Sequence, residues 1–207
     1  MITLFIDTSA SDVSIAILKS NQILSSIKKT IPNEHSKYTV SFINQLLKES
    51  SLKPDALKRI MVVTGPGSFT GVRIGITIAK VYAYLKNIDV IGISSLKMLA
   101  LSKEHDYCLS LIDARNNNYY MGLYDKDNKE VLPEQFIKKE NLLNIIKEYN
   151  PTIVSNSNIT IDNIEILKQE LNIPKIVSYY ENSTPINPHL LVPNYLKLPQ
   201  ALEVKHD

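Results

Sequence analysis

The chain has 207 residues, enough for one large domain or two small ones with real cores. Apolar residues make up 44% and charged residues 21%, the balance of an ordinary soluble globule. A net charge of +2, from 23 basic and 21 acidic side chains with no basic block, gives no ground for a nucleic-acid-binding or acidic-membrane-binding surface.

The opening MITLFIDTSA has no basic region ahead of its apolar run and meets an acid at Asp7, so it does not read as a signal peptide. No apolar run approaches the ~18 residues of a membrane helix. ITLFID (2–7), VSIAIL (13–18) and QILSSI (22–27) predict three strands in an antiparallel meander. Tyr38, Phe42, Ile43, Leu46 and Leu47 then recur at helical spacing, and Asn33 is the expected N-cap. RIMVVT (59–64) has the continuous apolar character of a central strand. A glycine-rich turn follows, then a helix predicted from about Val72 to Leu85, a strand DVIGI (89–93) and a short helix in SSLKMLALS capped by Ser94.

The second half repeats the first. IDTSASDVSIAIL (6–18) and IDARNNNYYMGLY (112–124) align at one offset of 106 residues, with Asp7 matching Asp113. A third strand (KEVLPEQF), a helix (NLLNIIKEY, 141–149) and a strand (TIVS, 152–155) follow in the same order as before. This predicts an α/β chain of two βββαβ-type lobes, residues 1–102 and 103–207, the second smaller. The Asp-ended first strands would point into a cleft between them. Cys108 lies inside the apolar run YCLSLI and reads as a buried small hydrophobe; a lone cysteine points to a reducing cytoplasm.

Four of the six glycines fall in GPGSFTGVRIGITIAK (65–80). A Walker A loop and a dinucleotide fingerprint both fail here, because Thr70 stands where each needs glycine and no lysine follows until Lys80. Two readings remain open for the loop. Gly65 and Gly67, with Ser68, Thr70, Arg73 and Asp7 nearby, could present donors and a helix N-terminus to a phosphate. Alternatively the turn is glycine-rich because another backbone approaches it. Gly71, Gly75, Ala79 and Ala83 form a small-residue row along one helix face, which suits close packing against a second helix, in a partner or within the chain.

Other chemistry is sparse. His35, His105, His189 and His206 are isolated and show no metal-ligand spacing. Ser68 lacks the Gly-x-Ser-x-Gly elbow of a serine nucleophile. The second half contains one glycine, Gly122, within a strand, so the glycine pair on which adenosine lies in facing-lobe ATPases is missing.

The stretches IDTSASDVSIAIL, EHSKYTVSFINQLL, VVTGPGSFTGVRIGITIAK, GISSLKMLA, IDARNNNYYMGLY and VPNYLK resemble, in that order, the TsaB/YeaZ family. The likeness covers residues 1–125 well and 140–190 in outline. It departs at Lys197, where arginine is usual, and in a shortened C-terminal region. The resemblance implies two tandem RNase-H-like lobes of the actin-like ATPase fold. It also implies a non-catalytic, cytoplasmic partner of TsaD, the enzyme that transfers threonylcarbamoyl to the adenosine beside the tRNA anticodon, with the ATPase TsaE joining the pair. The metal-holding histidine pair of TsaD would fall on Ser95 and Leu99, and leucine cannot ligate a metal. Pairing, with TsaD or with a second copy, is expected through the helices at 34–50 and 71–86, hence His35, Tyr38, Phe42, Gly71, Gly75, Ala79 and Ala83. The resemblance implies no cofactor of the chain's own, tRNA contact only through the partner, and ATP or ADP at the shared interface at most. An ATP-dependent phosphotransferase of the same fold is the alternative.

Overall fold

The computed structural model describes residues 1–197 apart from 103 and 162, so the end of the predicted second lobe, 198–207, lies outside the described residues. Strands β1 (Ile2–Asp7), β2 (Asp12–Lys19) and β3 (Gln22–Thr30) form the expected antiparallel meander. Helix α1 (His35–Glu49) leads to β4 (Arg59–Gly65), α2 (Phe69–Lys86) and β5 (Asp89–Ser94). The strand order is β3-β2-β1-β4-β5, with β4 parallel to both β1 and β5. After α3 (Ser95–Leu101) come β6 (Tyr107–Asp113), β7 (Asn118–Asp125), β8 (Glu130–Lys138), α4 (Lys139–Tyr149), β9 (Thr152–Ser155) and β10 (Leu167–Lys168). Their order, β8-β7-β6-β9-β10, repeats that of the first sheet. Strands β2 and β7 begin and end 106 residues apart. The α/β class and the two mixed sheets with flanking helices are those predicted.

Both faces of the first sheet are covered, which explains its unbroken apolar runs. Leu4, Ile6, Ile15, Ile60 and Val62 face α1 and α2, and Phe5, Ala16, Met61 and Val63 face the other way. The helix occupying that second side is α3, all seven residues of which are buried. Met98 and Leu101 pack toward the first sheet, while Leu99 and Ala100 pack with Cys108, Tyr124 and Val154 of the second. Its five apolar residues point to more than one side, so they are covered only if the helix is enclosed; α3 meets that requirement by lying between the two sheets. Ser94 caps it as expected, its hydroxyl accepting from the Leu96 and Lys97 amides.

Some sequence expectations shift. Asn33 is not the N-cap of α1; it takes a left-handed conformation (φ 64°), and Glu34 precedes the helix without a side-chain cap. Helix α2 starts three residues earlier than expected because the Ser68 hydroxyl accepts from the Gly71 amide and closes a first turn ahead of Val72. A further helix, α5 (Ile173–Tyr179), was not foreseen: seven residues with a proline in the first turn are too few for a visible period. Ile176 and Val177 of α5 join the core around Phe5 and Met98 on the first sheet. From there the chain stays with the first half. The Ile186 amide donates to the Val90 carbonyl, Leu191 is buried in the α1–α2 core, and the Asn194 amide donates to the Thr64 carbonyl. Among the described residues, no helix is long and apolar enough to cross a membrane.

Because Ile176 is fully buried between α3 and the first sheet, Ile176→Ala should cost about 2–5 kcal/mol in urea-induced unfolding. A loss under about 1 kcal/mol would mean that α5 contributes little to this core.

Candidate functional site

The carboxyl ends of β1, β4 and β6 open onto a cleft of about 1760 Å³. Ligands of open α/β sheets characteristically bind at such strand ends, where the strand order reverses. Asp7, Ser9, the glycine turn and His35 line one wall; Asp113, Arg115, Asn116 and Tyr120 line the other.

The two aspartates make the same local bond. One Asp7 carboxylate oxygen accepts from the Ser9 amide at 2.8 Å, and one Asp113 oxygen accepts from the Arg115 amide at 2.8 Å. Their surroundings differ. Asp113 is exposed and its turn continues through three left-handed residues, Arg115, Asn116 and Asn117. Asp7 is buried and accepts a second bond from the Ser9 hydroxyl at 2.7 Å. Burial raises the Asp7 carboxyl above the usual carboxylate range, and the Ser9 hydrogen bonds and nearby His35 oppose that rise. His35, at the start of α1, is buried, and its Nε2 lies 3.0 Å from the Ala10 carbonyl.

The glycine turn is a packing joint. Gly65 takes φ 103°, which a side chain would resist. The Ser68 amide donates to the Ser9 carbonyl at 2.7 Å, the Val72 amide to the Ser68 carbonyl, and the Thr8 hydroxyl to the Gly71 carbonyl at 2.7 Å. With Gly71 bonded to Ser68, three amides that a phosphate would draw on at this turn are already engaged. A Cβ on Gly67 would lie 2.4 Å from the Ser9 carbonyl oxygen and one on Gly71 2.1 Å from that of Thr8. The turn is glycine-rich because the Thr8–Ser9 loop lies directly against it. Thr70 is exposed at the helix start, and Arg73 is exposed too, donating from Nε to the Tyr195 hydroxyl at 2.7 Å.

The small-residue row therefore faces inward, which corrects its expected place on a partner surface. Gly71, Gly75, Ala79 and Ala83 are all buried, and a Cβ on Gly75 would meet the Thr8 hydroxyl at 2.5 Å. Ala79 and Ala83 share a core with Phe42, Ile43 and Leu46 of α1, so the close helix–helix approach occurs within the lobe. Phe42 is buried and Tyr38 half-buried against that core, the two rings stacked at 5.8 Å. What α2 shows outward was not singled out from its sequence: Val81 is 50% exposed, Tyr84 66% and Leu85 70%, with Val40 of α1 also exposed. The signal was available as the bulky positions alternating with the Gly/Ala row.

A curated Bacillus subtilis protein named tRNA threonylcarbamoyladenosine biosynthesis protein TsaB is 30% identical over 220 residues, spanning 97% of this chain and 96% of its own length. This chain belongs to the TsaB/YeaZ family. Residues 21–184 also match the family model described as TsaD: tRNA N6-adenosine threonylcarbamoyltransferase. Two solved Pseudomonas aeruginosa structures share the fold. One, described as an uncharacterized protein with similarity to peptidase YEAZ, has a TM-score of 0.79 at 21% identity, covering 95% of this chain and 99% of that one. The other, YeaZ, has a TM-score of 0.71 at 21% identity, covering 94% and 99%. A TsaB/YeaZ chain thus carries the inward glycine row and the outward apolar row on one helix.

Gly71→Ala forces the Thr8 loop away from α2 and should cost about 1–3 kcal/mol in urea unfolding. An unchanged midpoint would show that the contact is loose. Asp7→Asn removes a buried charge while keeping an acceptor for Ser9. With the folded-state pKa raised, the wild type binds more protons folded than unfolded just above about pH 4, so its stability falls as pH rises through that window. The substituted chain should therefore match the protonated wild type at acid pH and become the more stable of the two above it. Parallel stability–pH curves would refute this.

Proposed function

We propose that this chain is a non-catalytic partner that pairs with TsaD and activates it in forming threonylcarbamoyladenosine beside the tRNA anticodon. Family membership supports the pathway. The observation that carries the pairing is the outer face of α2, where Val81, Tyr84 and Leu85 stand exposed on a helix whose small residues are turned inward. Leaving three large apolar side chains in water is unfavourable, and a patch of this kind marks a surface made for another protein. A helix of the catalytic partner, apolar on its facing side, is the occupant we assign; in its absence a second copy of this chain can use the same face.

The absence of chemistry of its own is supported by Ser95 and Leu99. By the family resemblance the TsaD histidine pair would fall at about these two positions; both are buried in α3, and a leucine side chain offers no atom to a metal. The glycine turn, bonded to Thr8 and Ser9, supports the same reading.

Mixing the chain with TsaD from the same organism, with light scattering after size exclusion, should give a one-to-one heterodimer, and modification of tRNA should require the mixture. Val81→Asp should weaken pairing at least about tenfold, or about 1.4 kcal/mol, with folding stability within about 0.5 kcal/mol of wild type. Two unmixed peaks, or normal pairing by Val81→Asp, would refute the assignment.

A further inference from the structure

The segment Ile186–Lys197, whose VPNYLK motif has no part in the function so far, touches four elements. It runs beside α2 against the direction of that helix. His189 meets the C-terminal half, its ring 5.2 Å from that of Tyr84 and its carbonyl accepting from Lys80 Nζ at 3.3 Å. Tyr195 meets the N-terminal turn, stacked on Phe69 at 5.6 Å and accepting from Arg73 Nε at 2.7 Å, while the Arg73 guanidinium covers the Phe69 ring at 3.7 Å. Between these points the Asn194 amide is bonded to the Thr64 carbonyl at 2.8 Å, next to the glycine turn.

The neighbouring side chain reaches the other lobe. Asn194 Nδ2 donates to Glu134 Oε2 at 3.2 Å, and Glu134 lies on β8 of the second sheet. The other Glu134 oxygen accepts from the Tyr124 hydroxyl at 2.7 Å and from the Ser94 hydroxyl that caps α3. One carboxylate thus gathers donors from β7, from the β5–α3 junction and from the C-terminal strap. Hydrogen bonds to a carboxylate are stronger than those between neutral groups and hold their donors more firmly.

We propose that the strap is a mechanical link between the second lobe and the first turn of α2, anchored at Glu134–Asn194 on one side and at Tyr195–Arg73–Phe69 on the other. A change in the opening of the cleft moves β8 and Glu134, and Asn194 carries that movement to the turn from which α2 starts. The strap therefore regulates the α2 face. This consequence for pairing rests on the proposed TsaD partnership; the link itself does not.

Hydrogen exchange of the full chain tests it. Asn194→Ala removes only the contact to Glu134, and Tyr195→Phe only the hydroxyl that Arg73 uses, so both variants should keep the wild-type circular dichroism spectrum. Asn194→Ala should speed exchange at the amides of Gly71–Arg73 at least about threefold, and Tyr195→Phe should speed it by a similar factor at the β8 amides of Gln135 and Phe136, at the far end of the link beyond Glu134. Faster exchange confined to the immediate neighbours of each substitution overturns the link. So does a wild-type strap whose Ile186 and Asn194 amides exchange at unstructured-chain rates. Pairing with TsaD is measured on the same variants. A several-fold loss in Asn194→Ala joins the link to function. The exchange response with unchanged pairing leaves the link standing and removes α2 as the partner surface.

Discussion

The enclosure of α3 is the constraint on which the rest of the structure depends. A seven-residue helix has little stability of its own. This one is held by burial on every side, between the sheet that precedes it in the chain and the sheet that follows. Even its lysine is buried. Lys97 donates to the Asn128 carbonyl and lies over the rings of Tyr124 and Tyr179, 4.3 and 5.3 Å from their centres. Burial pulls its pKa below the usual lysine range, against the opposing pull of Glu130, Glu134 and Asp125. The two sheets cannot separate without exposing α3, so the cleft opens and closes only within the play that α3 and its neighbours allow.

The glycine stretch becomes intelligible in that frame. The first lobe must bring the end of α2 against the loop after β1, because both belong to the floor of the cleft. The contact is backbone to backbone, with the Ser9 and Thr8 carbonyls where Cβ atoms would otherwise be. The described residues of the second lobe hold no counterpart. After β9 the chain turns through Asn156 to Asn158, no helix among the described residues returns over Asp113, and that aspartate is exposed while Asp7 is buried. Two copies of one strand–turn–strand unit, sharing the carboxylate-to-amide bond two residues on, have diverged through what packs on top of them.

Much of this was legible in the sequence. The repeat of Asp7 and Asp113 at one offset, the meanders and the α3 cap are local, and each rests on periodicity or on a capping residue. The side on which the Gly71/Gly75/Ala79/Ala83 row lies was not legible. Spacing gives the angle between side chains around a helix, and it cannot tell an internal neighbour from an external one. The Thr8 hydroxyl, 67 positions before Gly75, decides it. Helix α5 and strand β10 were hidden because seven and two residues carry no period, and the role of Glu134 was hidden because its donors come from positions 94, 124 and 194.

The orientation of α2 bears on function through an inversion. An ordinary surface helix turns its large apolar residues to the core and its small or polar residues to water. Here glycine and alanine share the inner side with Val72 and Ile76, taking the positions nearest Thr8 and α1, while Val81, Tyr84 and Leu85 stand outside. Close internal packing explains the small residues, and of the three large ones only Tyr84 has a ring partner among the described residues, His189 of the strap. At Val81 and Leu85 the stability of the isolated chain would be served equally by lysine or glutamate, with better solubility. The outward row is thus the part of α2 that the packing of the lobe leaves least covered, and the ring of His189 on Tyr84 is the cover the chain itself supplies there.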